Sequence, residues 1–260
     1  MSGRCARLAL HLGSQAIGLS LSRRQAGGRT LTDAMMAPDD SRDGQRLLGA
    51  IDRLMTSTQT PIEALEVIAF AAGPGGFSRV RVACAVAQGL ALAAGCPVAP
   101  VNSLLAQAQA CATSFNRLAK VKRRVVTLVD ARMNEAYGAS YLFAGEADEK
   151  AAITIQTEPF LAEAGEAVAR LSDADDQSLE TIISGDAWHR YGVSLTGGES
   201  MIAYEPTADE IATACLELSA QQVWASPAQA GPLYGREKVA LNTAEQAALR
   251  ERNARSARQP

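Results

Sequence analysis

Along this chain apolar residues first alternate with polar ones and then recur at steps of three and four, and the sequence passes through that change twice. Residues 7–12, 16–21 and 31–35 are short apolar runs separated by Gly13-Ser14-Gln15 and by the polar stretch 25–29, the pattern of a three-stranded meander. Pro38-Asp39-Asp40-Ser41 supplies a loop and a cap. Leu47, Leu48, Ile51, Leu54 and Met55 then form one face of an amphipathic helix, with Arg42, Arg46 and Arg53 off that face. Residues 60–63 make a short turn. The run 67–71 has the length of a buried strand, and Gly73-Pro74-Gly75-Gly76 gives the permissive backbone for a sharp reversal. Ser78 is the expected cap of the next helix, which carries Val82, Val86 and Leu90 among alanines and ends at Gly95. Its composition predicts burial over most of its surface. Residues 98–101 form another strand, and Asn102 and Ser103 cap a helix to about 115, with Leu104, Leu105, Ala108 and Cys111 on its buried side.

The pattern restarts after the basic run 120–124, read as a solvated linker between domains. Strands are expected at 125–129, 137–143 and 152–156, a helix opened by Pro159 to about 171, a strand at 181–183 leading to Ser184-Gly185-Asp186, and a last helix at 208–218. The first half reads βββαβαβα and the second starts the same way, which makes this an α/β chain with an internal repeat. The divisions are 1–119, 120–221 and a C-terminal segment 222–260, whose Arg250, Arg252, Arg255 and Arg258 mark an end expected to be disordered.

Composition narrows the possibilities. Hydrophobic residues make up 47% of the 260 and aromatic ones 5%, so the core is built from Ala, Val and Leu. A formal charge of -3 favours no nucleic-acid surface by itself. The five cysteines are scattered and never paired as Cys-x-x-Cys, which encodes neither a disulfide framework nor a zinc site and suits a reducing cytoplasm. Nothing approaches the ~20 apolar residues of a membrane helix.

Candidate chemistry is sparse. A glycine turn feeding a helix N-terminus beside Arg79 and Arg81 can hold an anion, yet it fits neither the Walker A loop nor the dinucleotide fingerprint. A tight turn that lets a small-residue helix pack on its sheet is the favoured reading. The two histidines, His11 and His189, lie far apart in sequence, and no nucleophile and base stand together.

Gly73-Pro74-Gly75-Gly76-Phe77-Ser78-Arg79-Val80-Arg81, followed by Ala87-Gln88-Gly89-Leu90-Ala91, resembles the signature Gly-Pro-Gly-Ser-Phe-Thr-Gly-Val/Leu-Arg then Ala-x-Gly-Leu-Ala of the TsaB (YeaZ) family. Asp130-Ala131-Arg132-Met133-Asn134-Glu135-Ala136-Tyr137 is similar to that family's Asp-Ala-Arg-x-x-Glu-x-Tyr. Gly231-Pro232-Leu233-Tyr234-Gly235-Arg236 resembles its C-terminal Pro-x-Tyr-x-Arg.

The resemblance implies an actin-like, ASKHA-class fold of two ribonuclease H-like subdomains. It also implies a role in making threonylcarbamoyladenosine beside the anticodon of tRNA. There a paralogous partner, TsaD, does the catalysis, TsaB pairs with it as a non-catalytic scaffold, and the ATPase TsaE joins. The expected TsaD contacts are Leu47, Leu48, Ile51, Leu54, Arg79, Val82 and Val86, on the helix at 41–55 and the one after Ser78. Alone, the same face would give a homodimer. No metal and no cofactor are expected on the chain alone, with ATP or ADP at the interface of the complex left open. The alternative is an ATP-dependent small-molecule kinase or ATPase using the Gly73 to Gly76 loop for phosphate; Gly73, Pro74, Gly75, Gly76, Phe77, Ser78 and Arg81 make up the signature loop and are open to an anion contact. Asp130, Arg132, Glu135 and Tyr137 are read as structural, the first two as an ion pair and the last two on alternating strand faces.

Some departures matter: Gly76 stands where relatives have Ser and Ser78 where they have Thr. Relatives carry an Asp at the end of the first strand where this chain reads His11-Leu12-Gly13-Ser14, which weakens the ATPase alternative, and Arg79 stands where they have Gly. Arg79 is expected either to point to solvent or to belong to an altered partner surface.

Overall fold

A computed structural model describes residues 4–13, 16–25, 27–38, 44–116, 122–144, 153–173, 179–195 and 201–235. The expected cap Ser41, the start of the basic run at Lys120, Arg236 and the arginines from Arg250 to Arg258 lie outside them. Strands β1 (Ala6–Leu12), β2 (Ala16–Arg24) and β3 (Thr30–Pro38) form the antiparallel meander. Helix α1 (Gly44–Ser57) and a 3₁₀ turn (Ile62–Ala64) lead to β4 (Leu65–Gly73), parallel to β1. Helix α2 (Phe77–Ala94) leads to β5 (Val98–Asn102), parallel to β4, and α3 (Ser103–Asn116) closes the half. The second half repeats this with β6 (Arg123–Arg132), β7 (Glu135–Phe143), β8 (Ile153–Glu163), α4 (Ala164–Asp173), β9 (Glu180–Ser184), α5 (Ala187–Tyr191), β10 (Met201–Ala203) and α6 (Ala208–Ser219). Sheet orders are β3-β2-β1-β4-β5 and β8-β7-β6-β9-β10, so both halves are βββαβαβα on one topology, the doubled actin-like arrangement.

The layers explain the alanine content. On one face of the first sheet, Leu8, Leu10, Leu19, Ile68 and Phe70 pack against Leu47, Ile51 and Leu54 of α1 and Ala83, Ala87 and Ala91 of α2. On the other face, Ala9, Ala69, Ala71 and Ala99 meet Ala106 and Ala110 of α3 and Ile211, Ala214 and Cys215 of α6. Small residues on both sides let helix and sheet approach closely. A Cβ on Gly18 of β2 would stand 1.8 Å from the Ala208 carbonyl oxygen, so only glycine lets the start of α6 lie there. The opposite side of α3, with Leu104, Ala108 and Cys111, faces Val125, Tyr137, Tyr141 and Phe143 of the second sheet. The outer layer there is α4 and α5, with Ala167, Leu171 and Trp188.

Several expectations are corrected. α6, grouped by sequence with 120–221, lies on the first sheet, while α3 serves both sheets. α2 begins one residue before Ser78, with Gly76 at the N-cap and Ser78 exposed. That helix is buried along one stripe only, because it belongs to an outer layer; Ala85, Gly89 and Leu92 are exposed. By length and composition α2 would suffice to cross a membrane, contrary to expectation, but its alanine stripe is packed on β1 and β4. Pro159 opens no helix. β8 runs through it as an edge strand, where a missing N–H is tolerated, and its register with β7 shifts nearby. The basic run is no solvated linker at its end, since Arg123 and Arg124 start β6 and are 6% and 0% exposed. Arg123 pairs with Glu180, and Arg124 Nη2 donates to the Leu171 carbonyl at 2.5 Å.

Candidate functional site

The three stretches that carry the resemblance are more than a hundred residues apart at their extremes, and the fold brings them to one cleft of about 1340 Å³ between the subdomains. Pro74 to Val80 line one wall, Val129 to Arg132 with Tyr137 and the turn Ser184 to Asp186 line the other, and Leu233 to Gly235 close one end.

The first wall is set by how β4 ends. Gly73 has φ 113°, a left-handed backbone that favours glycine, and its N–H donates to Ser103 Oγ at 2.9 Å. Asn102, as expected, caps α3, its Oδ1 accepting from the N–H groups of Leu104 and Leu105 at 3.0 and 3.1 Å. Arg81 lies against two aromatic rings. Its guanidinium lies 3.2 Å from the Phe77 ring centroid and 5.1 Å from that of Tyr234. Arg79 does not simply point to solvent: it is half-buried and donates to the carbonyl of Gly13, just past β1. Burial first, and the Arg79 charge second, lower the His11 pKa to about 4, so this imidazole is neutral. These two departures from the family pattern thus act on each other.

On the second wall the Asp130 side chain is only 4% exposed. It accepts from the Tyr191 hydroxyl and from the Arg132 N–H at 2.8 Å, and pairs with Arg190 at 3.0 Å and Arg132 at 3.3 Å. The expected Asp130–Arg132 pair exists, within a larger cluster that sequence reasoning missed because Arg190 and Tyr191 come from the unpredicted α5. Glu135 and Tyr137 are two apart in one strand, so they share a face; the expectation of alternating faces was wrong. Tyr137 packs toward α3. Gly185, with φ 110°, donates its N–H to Glu205 Oε2 at 2.7 Å.

Most of the expected partner contacts are elsewhere. Leu47, Ile51 and Leu54 are buried in the chain's own core, which corrects their assignment to a surface, and Val82 and Val86 are half-buried against the same core. Leu48 alone of the seven is exposed, at 47%. It borders a second, open groove of about 590 Å³ with Asp52, Met55, Ile62 and Leu90.

The cleft is lined by the carboxyl-bearing residues Asp130, Asp186 and Glu205, none of them on the His11 side. At the end of β1 stand the neutral His11 imidazole and the Arg79 guanidinium, and Asp130 across the cleft is engaged by two arginines and a tyrosine. Among the described residues no three His, Cys, Asp or Glu side chains are grouped to hold a metal. All five cysteines are free, and burial pushes the thiols of Cys111 and Cys215 up to about 12, the behaviour of small hydrophobes.

A family model described as TsaD, tRNA N6-adenosine threonylcarbamoyltransferase, matches residues 41–254. The chain is similar to the tRNA threonylcarbamoyladenosine biosynthesis protein TsaB of Escherichia coli, 28% identical over 207 residues that span 75% of this chain and 81% of that protein. It is also similar to the protein of the same name from Haemophilus influenzae, 40% identical over 93 residues, 36% of this chain and 37% of that one. Among solved structures it is similar to YeaZ from Pseudomonas aeruginosa, 25% identical, with a TM-score of 0.68 over 88% of this chain and 99% of that one. With the family model covering well over half of its length and relatives of these names spanning most of it, the chain belongs to this family, as one of its TsaB (YeaZ) members.

Proposed function

We propose that this protein is a non-catalytic subunit in the biosynthesis of threonylcarbamoyladenosine in tRNA, working in the cytoplasm by docking a TsaD-like catalytic subunit on the outer face of α1 and α2. The pathway is taken from the names of its relatives. The observation that carries the docking reading is the open groove beside Leu48. Leu48, Met55, Ile62 and Leu90 give it an apolar floor, Asp52 and Thr56 a polar rim, and the exposed Ala85 and Gly89 of α2 leave room for a helix to come close. A stable interface needs such an apolar centre with a polar edge. The same face would bring two copies together when the catalytic subunit is absent. A TsaE-like ATPase and tRNA would be met through the complex, and any ATP or ADP would sit at its subunit interface rather than in this chain's own cleft.

The test is light scattering on size-exclusion chromatography of the full chain, alone and with the same organism's TsaD-like subunit, with and without ATP. A one-to-one complex is expected, weakened about tenfold or more by Leu48→Asp, the loss of one well-placed apolar contact. No complex under any condition, with ATP turnover by the chain alone, would overturn the proposal in favour of an ATPase or kinase.

A further inference from the structure

After α6 the chain does not stay with the second half. Ala225 pairs with Val98 at the edge of β5, and Gln88 Nε2 donates to the carbonyls of Pro227 at 2.7 Å and Ala230 at 2.9 Å. The N–H of Leu233 donates to the Ala72 carbonyl at 2.7 Å, and a Cβ on Gly73 would lie 2.5 Å from the Leu233 oxygen. So the glycine that opens the signature loop is required twice, for its backbone and for the strap across it. At its end the strap leaves the first subdomain. A Cβ on Gly235 would stand 2.6 Å from Tyr137 Cε1, on β7 of the second subdomain, and 3.2 Å from Pro74 Cβ, on the loop of the first.

We infer that residues 231–235 form a clasp that sets the opening of the inter-subdomain cleft. The cleft has a fixed base, where Gln107 Nε2 of α3 donates to Ser184 Oγ at 2.8 Å in the buried interior. Its mouth is spanned at one end by Gly235, wedged between Tyr137 and Pro74. Tyr234 holds the wedge in place from outside, its ring 6.4 Å from that of Phe77 with Arg81 against both. Phe77 and Tyr234 are 48% and 53% exposed, so whatever grips these rings from outside also pulls on the clasp. Glycine at 235 is thereby explained without a turn or a ligand: any side chain there displaces the Tyr137 ring or Pro74, and the two walls move apart.

Hydrogen exchange read by mass spectrometry on the full chain tests this. Gly235→Val should speed exchange about fivefold or more in 71–81 and in 130–137 together, while α4 and α1 keep wild-type protection, as local opening of one coupled unit requires. If Gly235→Val fails to fold, Tyr234→Ala removes the outer hold without adding bulk and is read the same way. Faster exchange confined to the strap and 71–81, with 130–137 unchanged, would overturn the inference and make the strap a surface feature of the first subdomain only. Unchanged exchange in both stretches would overturn it as well.

Discussion

The two halves end their fourth strands alike. Gly73 and Gly185 have φ 113° and 110°, and each gives its N–H to a side chain one or two residues beyond the fifth strand, Ser103 in one half and Glu205 in the other. Their first and fourth strands also start alike, with Arg7 paired to Glu66 and Arg123 paired to Glu180. What differs is the surroundings. Gly73 is covered by the strap, a chain segment that arrives last, whereas Gly185 is covered by Leu128 of the central strand β6, whose oxygen would lie 2.2 Å from a Cβ. The first half keeps a long outer helix and an open apolar groove; the second has a five-residue α5 and spends its polar residues on holding Asp130. The frame was duplicated and its contents were not, so equivalent positions should differ in cost according to what can yield around them.

That gives the sharpest experiment. Gly185→Ala should cost about 4 kcal/mol, since both a left-handed backbone and a central strand oppose it, and Gly73→Ala about 2 kcal/mol, because the strap can lift. Equal costs by urea denaturation would break the comparison. Next, Arg124→Ala should cost about 3 kcal/mol by removing a fully buried side chain and stranding the Leu171 carbonyl, with Arg7→Ala, half-exposed in the other half, costing much less.

A third contrast lies near the ends of the first strands, where the first half has His11 and the second Asp130. The folded His11 pKa is lowered to about 4 from 6.5, so below pH 6.5 the unfolded chain takes up a proton that the folded chain refuses. Its contribution to stability is complete above about pH 6.5 and is lost as pH falls toward 4, by at most about 3 kcal/mol. His11→Gln should remove that part of the pH slope; an unchanged difference between wild type and variant from pH 7 to 4 would refute it. Smallest is the ion-pair contrast. Glu180→Gln, facing a buried Arg123, should cost about 1 kcal/mol more than Glu66→Gln, whose pair with Arg7 is better solvated.

The sequence made the repeat legible because strand periodicity and the glycine turn are local signals: β4, its loop, α2's end at Gly95 and the Asn102 cap are where they were expected. Pro159 misled because proline on an edge strand and proline at a helix start look identical until pairing is known. Arg123 and Arg124 read as solvent-facing because burial of an arginine depends on partners 47 and 57 residues away. α5 and β10 are five and three residues long, too short for a period to show. The stripe Leu47, Ile51 and Leu54 was recognised as apolar, but periodicity alone does not say whether an apolar face meets its own sheet or another protein. The signature stretches are legible one by one in the sequence; their convergence on the cleft, and the contact between Arg79 and the turn after β1, depend on tertiary structure.

The placing of α3 between both sheets, and of α6 on the first, has a consequence for anyone who would divide this chain. Cut between α3 and β6, the leading piece would keep α3 but lose α6, baring part of its alanine-rich face, and the trailing piece would keep α6 but lose α3, baring its aromatic face. Neither piece would stand alone. Made together they would complement each other, each supplying the missing helix, so the halves descend from a repeat yet have become obligate companions.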